Sequence, residues 1–357
     1  PKIAVAPPAV KENFFGPSSG IFVGRLGYPN VFAGPLGMLG SGMAESPSEW
    51  FGMSYADIIA MRFSVIRSKE QRSVRSSGKT VLDMQDIVIA KKPTDIEMLF
   101  KKKPVHKMTF SPVTQPMGPS AELLKLTLAG NPMISGRVEQ IVRDDIKAAD
   151  AAGLLYREGI DVYQLSNILS SGVLGIRKKM VPTRWSITGI DDTLCRGMME
   201  EIRQFPEAGK YMLFSSFFLY NSFHILLMPG KWEYENFESS PEDGLMVEEY
   251  EPFRGRKAYA EKEGGGYYAA RFAVCEALRK MRKQARVIVF REIGKGYSVP
   301  LGVWVVRQTA REAFNKPPVE FSTYNEAAGY LQTKLRIPLR EYTRRSVILQ
   351  QRRLNEF

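Results

Sequence analysis

Apolar residues recur at helical spacing through much of the first half of the chain, and the second half shifts toward short, continuous apolar runs. Ser54 to Phe63 reads as a helix, and Val81 to Ala90 and Ile96 to Phe100 read as short ones. After a proline-rich connector, Pro112 to Pro119, the stretches Ala121 to Ala129 and Val138 to Ala152 carry amphipathic helical patterns, with Val138, Ile141 and Val142 on one face. Val162 to Leu169 continues that character until Gly172. Ahead of these helices, Ile21-Phe22-Val23 and Val31-Phe32-Ala33 predict two short strands around a turn through Gly27-Tyr28-Pro29. Ser64 to Thr80 is polar and rich in arginine and serine.

Further on, Tyr211 to Tyr220 and Phe223 to Met228 predict a pair of buried strands stopped by Pro229-Gly230. Trp232 to Phe253 is dense in glutamate and aromatic residues and predicts a solvated loop, which in a basic protein also suits shielding or mimicry of a polyanion site. Gly264-Gly265-Gly266 opens a strong helix with Ala270, Val274, Leu278 and Met281 on one face. Val287 to Phe290 and Leu301 to Val306 predict strands, Thr323 and Glu326 a capping box, and Pro338 the first turn of a last helix to Gln350. The succession predicts an α/β protein of mixed α+β type, a mixed sheet packed with helices, its N-terminal half helical and its C-terminal half richer in strand. Three regions follow: 1–180, Gly/Pro-rich and helical; 181–335, the mixed sheet; and 336–357, a basic helix and tail.

One stretch breaks the pattern. Val181 to Asp192 packs an arginine, an indole, three hydroxyls and two adjacent carboxylates into twelve residues, punctuated by Pro182 and Gly189. It predicts a loop or strand end leading into a helix from Thr193 to Phe205. Either it is a buried polar network with Trp185 as filler and Asp191 or Asp192 as an N-cap, or it is the floor of a polar pocket.

Charge narrows the choice of partners. Fifty Lys and Arg stand against 38 Asp and Glu, a net of +12 and a pI near 9.5, which favours a polyanion such as DNA. Cys195, Cys275, His106 and His224 supply no zinc ligand set, and two lone thiols suit small core positions in a reducing, cytoplasmic compartment. No apolar run approaches the ~18 residues of a membrane span, so no membrane partner is expected. The chain starts at Pro1, which raises the expectation that residues ahead of it have been removed.

Familiar nucleotide motifs are absent. Gly78-Lys79-Thr80 has Ser73 where a phosphate loop needs its first glycine, and Gly294-Lys295-Gly296 has Val299 where a dinucleotide fold needs its third. Asp191-Asp192 with Glu233 and Glu235 are the carboxylates available to a divalent cation, and no cofactor is expected. Arg184, Arg271 and Arg291 are the candidates for gripping phosphate, with the amides of Gly265 and Gly266 beside them. Trp185, Tyr267 and Tyr268 suit base stacking and are equally at home in a core. An enzymatic pocket would draw on Arg184, Asp191, Asp192, Tyr268, Arg271 and Glu292. At the end of the chain, Gln351, Leu354 and Phe357 fall at i, i+3 and i+6, the opening of the sliding-clamp interaction motif, in which a second aromatic normally follows.

Four blocks carry a resemblance: Phe22-Val23-Gly24-Arg25-Leu26-Gly27-Tyr28-Pro29 with Gly34-Pro35-Leu36; Val181 to Asp192; Gly265 to Arg271; and Pro300 to Arg307. Together they resemble the archaeal Nre family associated with DNA repair. The resemblance implies a C-terminal motif that binds the replication sliding clamp, PCNA, mapping onto Gln351, Leu354 and Phe357. It also implies that some members carry an N-terminal zinc segment, which this chain lacks. It supplies no reaction. The expectation is a clamp-associated repair factor that engages DNA through a basic surface; the alternatives are a nucleotide- or nucleic-acid-processing enzyme and a non-catalytic adaptor.

Overall fold

Strand-forming residues on either side of position 194 build two separate six-stranded sheets in the computed structural model, which describes residues 11–40, 47–105 and 117–351. The chain divides into two units, Pro1–Leu194 and Cys195–Phe357. In the first, strands β1 (Asn13–Ser18), β2 (Ile21–Val23), β3 (Asn30–Met38), β4 (Val65–Ser73), β5 (Thr94–Phe100) and β6 (Ser120–Leu128) lie in the order β1-β5-β6-β4-β3-β2. All neighbours are antiparallel except β4 and β6. Helices α1 (Tyr55–Phe63), α2 (Lys79–Ile89), α3 (Gly136–Arg143), α4 (Ala148–Arg157) and α5 (Val162–Ser171) accompany it, and α6 (Thr183–Ile202) carries the division between units. Helix α5 is fixed between neighbours by its amides: Gln164 Nε2 donates to the carbonyls of Val88 and Ala90, and Asn167 Oδ1 accepts from the Ile21 amide.

Two expected helices in this unit are strands. In β5, Thr94, Ile96, Met98 and Phe100 are buried while Asp95, Glu97 and Leu99 are exposed, a period of two that the apolar Leu99 obscures in sequence. Strand β6 holds four leucines with an alanine, a lysine and a glutamate, all good helix formers, yet pairing with β5 overrides that preference. The arginine- and serine-rich segment is β4, paired with β3 on one side and β6 on the other. The helical character expected of this half thus coexists with a full sheet, within the mixed α/β class.

The second unit has β7 (Tyr211–Phe218), β8 (Asn221–Met228), β9 (Glu233–Ser240), β10 (Leu245–Glu251), α7 (Gly265–Met281), β11 (Arg286–Ile293), α8 (Trp304–Phe314), β12 (Val319–Phe321), α9 (Tyr324–Gln332), α10 (Leu339–Thr343) and α11 (Val347–Gln350). Its sheet order is β10-β9-β11-β8-β7-β12, with only β9 and β11 parallel. Side chains alternate between two covered faces. One meets α7 and α8, which pack on each other. On the other, Leu213, Leu226, Phe237, Ile288 and Phe290 join Ala327, Leu331, Tyr342 and Ile348 from the C-terminal helices, with Tyr342 edge-on to both Phe237 and Phe290. The capping box at Thr323 and Glu326 is formed as its spacing predicts.

Three further expectations are corrected here. Trp232 to Phe253 is the β9–β10 hairpin rather than a loop, because several of its carboxylates find buried partners: Glu233 pairs with Arg286, Glu238 with Arg291 and Glu251 with Arg271. Helix α8 begins within the apolar run expected as a strand at Leu301 to Val306, with Trp304 Nε1 donating to the Leu301 carbonyl at its start. Helix α6 starts at Thr183, ten residues earlier than Pro182 and Gly189 suggest. A glycine inside a helix costs only about 1 kcal/mol, and burial of Ile190, Leu194, Met198 and Ile202 at helical spacing outweighs it. Among the described residues no helix is long and apolar enough to cross a membrane.

Two strand-borne carboxylates take hold of the C-terminal segment. Glu292 accepts from the amides of Arg336 and Ile337, both at 2.9 Å, and from the Tyr342 hydroxyl at 3.0 Å. Glu235 accepts from the Ser346 hydroxyl and from the amide of Val347 at 2.8 Å, at the start of α11. Arg286 donates to the Ile348 carbonyl at 2.8 Å. Glu235→Ala is therefore expected to lower stability by about 3 kcal/mol or more, since it strands buried donors, and Glu235→Gln by less. The urea midpoint at unchanged m-value checks both.

Candidate nucleic-acid interface

Hydrogen bonds stitch three stretches of the first unit together. At the β2–β3 turn the Gly24 amide donates to the Phe32 carbonyl at 2.7 Å and the Asn30 amide to the Gly27 carbonyl at 2.8 Å. The Val74 amide reaches the Pro29 carbonyl, and the Val74 carbonyl accepts from the Met180 amide, both at 2.9 Å. Thr183 Oγ1, at the start of α6, accepts from the Val23 amide at 2.9 Å and lies 3.2 Å from Ser170 Oγ, which itself donates to the Val181 carbonyl at 2.8 Å. This path depends on Gly172. The residue ends α5 with φ 76°, and a Cβ there would overlap the backbone of Lys179 and Met180.

Trp185 emerges from this frame in the first turn of α6. Its amide and that of Ser186 both donate to the Pro182 carbonyl, and Ser186 is buried, so the indole points outward and is 47% exposed. Tyr28, 40% exposed, stands 5.3 Å from it, centroid to centroid, with the rings tilted by 52°. Lys179 Nζ donates to the Tyr28 hydroxyl at 3.0 Å. Arg184 and Arg25 flank the two rings in sequence and are exposed. The three stretches, residues 24–31, 71–80 and 172–188, hold eight cations (Arg25, Arg72, Arg75, Lys79, Arg177, Lys178, Lys179 and Arg184) and no Asp or Glu. Arg72 pairs with Glu70 just outside them. Further along α6, Asp191 is buried and Asp192 half-buried.

The remaining candidates belong to the second unit. At the start of α7, Arg271 pairs with Glu251, whose carboxylate also accepts from the Tyr267 hydroxyl at 2.9 Å and from Trp232 Nε1 at 3.3 Å. Tyr268 lies under the Arg271 guanidinium, stacks on Tyr259 and accepts from the Ala260 amide at 3.1 Å. Arg291 donates to Asn221 Oδ1 at 2.7 and 3.0 Å and pairs with Glu238. Gly266 packs closely there, since a Cβ would come within 3.3 Å of Glu238 Oε2. Gly265 is the first residue of the same helix. Tyr268 and Arg271 thus stand together, whereas Glu292, on the same strand as Arg291 and one residue on, faces the C-terminal helices. Gln351 receives a hydrogen bond from Arg286 at 3.3 Å; Leu354 and Phe357 lie outside the described residues, as does His106.

Two arrangements have no linear signature. Glu263, just before the glycine triplet, accepts from Asn236 through Oε2, while its buried Oε1 has no hydrogen-bond partner among the described residues. Burial, then the neighbouring Glu238, holds this carboxyl well above the usual carboxylate range. Across β7 and β8, Ser215 Oγ stands 2.9 Å from His224 Nδ1, and burial followed by the Lys334 charge lowers that imidazole to about 4. A cation beside the histidine is the opposite of what a nucleophile triad requires. Cys195 and Cys275 are buried free thiols. Glu233 and Glu235 are engaged by Arg286 and α11, and among the described residues no group of three or more metal-ligating side chains could hold a metal ion.

Comparison with known proteins covers almost the whole chain. The family model described as Archaeal Nre, N-terminal, matches residues 3–245, and the one described as Archaeal Nre, C-terminal, matches residues 251–357. DNA repair protein NreA of Archaeoglobus fulgidus is 38% identical over 320 residues, covering 86% of this chain and 81% of that protein. DNA repair protein NreB of the same organism is 34% identical over 366 residues, covering 98% and 93%. DNA repair protein NreA of Haloferax volcanii is 32% identical over 358 residues, covering 93% and 85%. No solved structure matches the chain.

The Glu263 carboxyl generates a pH prediction. A carboxyl whose native pKa is raised binds more protons folded than unfolded, so its contribution is complete below the unfolded value of about 4.5 and is lost as pH rises through the native one. Glu263→Gln retains an acceptor for Asn236 and removes the titration. Melting temperatures of wild type and variant should therefore diverge in the variant's favour as pH rises from 4 toward neutrality, and parallel curves would remove the titration from Glu263.

Proposed function

The chain belongs to the archaeal Nre family, and on that premise we propose that it is a DNA repair factor that grips DNA through the cationic face of its first unit and associates with the replication sliding clamp, PCNA, through its C-terminal residues. Support for the DNA contact comes above all from the meeting, at the start of α6, of three acid-free segments whose exposed cations include Arg25, Arg75, Lys79, Arg177 and Arg184. Arginine and lysine in such density favour phosphate through counterion release. Three arginines of the second unit serve a different purpose, since Arg271, Arg286 and Arg291 are buried and matched to Glu251, Glu233 and Glu238. Support for the clamp contact comes from the spacing of Gln351, Leu354 and Phe357, and from the hold of Glu235 and Arg286 on α11 immediately before them.

Each contact has its own test. The affinity for a DNA duplex, followed by fluorescence anisotropy, should fall steeply with salt. Replacing Arg25, Arg177 or Arg184 with alanine should reduce the log–log slope by about one for each phosphate that is no longer neutralised. A flat salt response would remove DNA as the partner of this face.

For the tail, calorimetric titration with an archaeal sliding clamp should show binding that disappears when residues 350–357 are deleted. Leu354→Ala and Phe357→Ala should each weaken it by about 1–3 kcal/mol as buried anchors. Equal affinity of the intact and truncated chains would exclude the tail as the contact.

A further inference from the structure

We propose that Trp185, braced by the tilted Tyr28 ring, forms a stacking platform for an unpaired base of a DNA strand, with Arg25, Lys179 and Arg184 holding the phosphates on either side of it. The inference rests on the DNA contact proposed above and names what that contact recognises.

Four tryptophans are present, and three of them, Trp50, Trp232 and Trp304, are at most 4% exposed. Trp185 alone opens to solvent, and its position is not that of a side chain left over at a loose end. It sits on the first turn of a 20-residue helix whose start is tied to β2 through Thr183 and whose next residue, Ser186, is buried. An indole held this rigidly loses little conformational freedom when a second ring stacks on it. Tyr28 is fixed in turn by the Lys179 hydrogen bond to its hydroxyl. At the tip of the same turn Leu26 is 81% exposed, the highest value for a large apolar side chain among the described residues.

Charge identifies the occupant. An exposed aromatic and aliphatic group at a protein contact would ordinarily be ringed by charges of both signs; here all three segments that meet are acid-free and cationic. Aromatic rings inside a cationic groove are the arrangement that holds single-stranded nucleic acid, with the rings taking base faces and the cations the backbone. In a continuous duplex each base face is covered by its neighbours, so the platform needs a strand that is single, gapped or carries an extruded base. Leu26 is then placed as an apolar wedge beside the vacated step.

Because the other three tryptophans are buried and out of reach of a ligand, a DNA-dependent change in tryptophan emission that disappears in Trp185→Phe reports on Trp185. The intact chain is titrated with a short oligothymidylate and with a blunt duplex of equal length, by emission and by anisotropy. The expected result is emission quenched by the single strand, with Trp185→Ala and Tyr28→Ala each weakening the single-strand affinity about tenfold and changing the duplex affinity by less than about twofold. Trp185→Phe, which preserves a ring, should keep most of the affinity, and a melting curve matching wild type shows that it folds. Binding of the oligonucleotide with unchanged emission, or with alanine variants equal to wild type, overturns the platform and leaves the duplex contact standing. Absence of binding to either DNA by the wild-type chain overturns the DNA contact itself, and the platform with it.

Discussion

A carboxylate cannot stay charged in a dry sheet without a partner, and this constraint governs the second unit. Glu235, Glu251 and Glu292 are all buried, and each receives donors from a different part of the chain: α11, α7 with Trp232, and the 336–342 segment. The strands therefore serve as fixed points to which the later helices are fastened. The same pairing silences Arg271, Arg286 and Arg291, so the basic character of the protein cannot be read from arginine count alone. What matters is where cations occur without acids, as they do in the segments that meet around Trp185.

That region follows a different rule. It is ordered by the hydrogen bonds of main-chain amides, from Val23 to the Thr183 hydroxyl, Val74 to the Pro29 carbonyl and Met180 to the Val74 carbonyl. Main-chain bonds fix the path of the segments without neutralising any side chain. Arg25, Arg75, Lys79, Arg177 and Arg184 are left exposed beside the two rings, which is the combination a polyanion-binding surface requires.

Much of this is legible in the sequence, and the gaps have common causes. The β2–β3 turn, the β7–β8 pair, α7 and the capping box at Thr323 follow directly from periodicity and local chemistry. Strand β5 is obscured because Leu99 on its outer face makes a short apolar run look helical. The β9–β10 hairpin is obscured because glutamate density reads as solvent exposure, and the matching donors lie as far away as residue 348. Arg184 and Trp185 stand out through the unusual composition of their stretch. Tyr28, Lys179 and Arg25 do not, since their importance comes from a meeting of residues about 150 positions apart in the chain. Glu263 is invisible for the same reason: only Asn236 and Glu238, brought beside it by the sheet, make its environment unusual.

In the proposed platform Gly172 ranks with the exposed residues although it faces no ligand. The left-handed turn there both ends α5 and leaves room for the Lys179–Met180 backbone to pass. Any side chain at this position has to displace that backbone, and with it the lysine on Tyr28 and the Pro182 carbonyl that seats Trp185. A change at this residue, thirteen positions from the indole, thus disturbs the surroundings of Trp185 from the interior, and a survey confined to surface residues would overlook it. Selection acting on the platform should be written in part on a glycine in the interior.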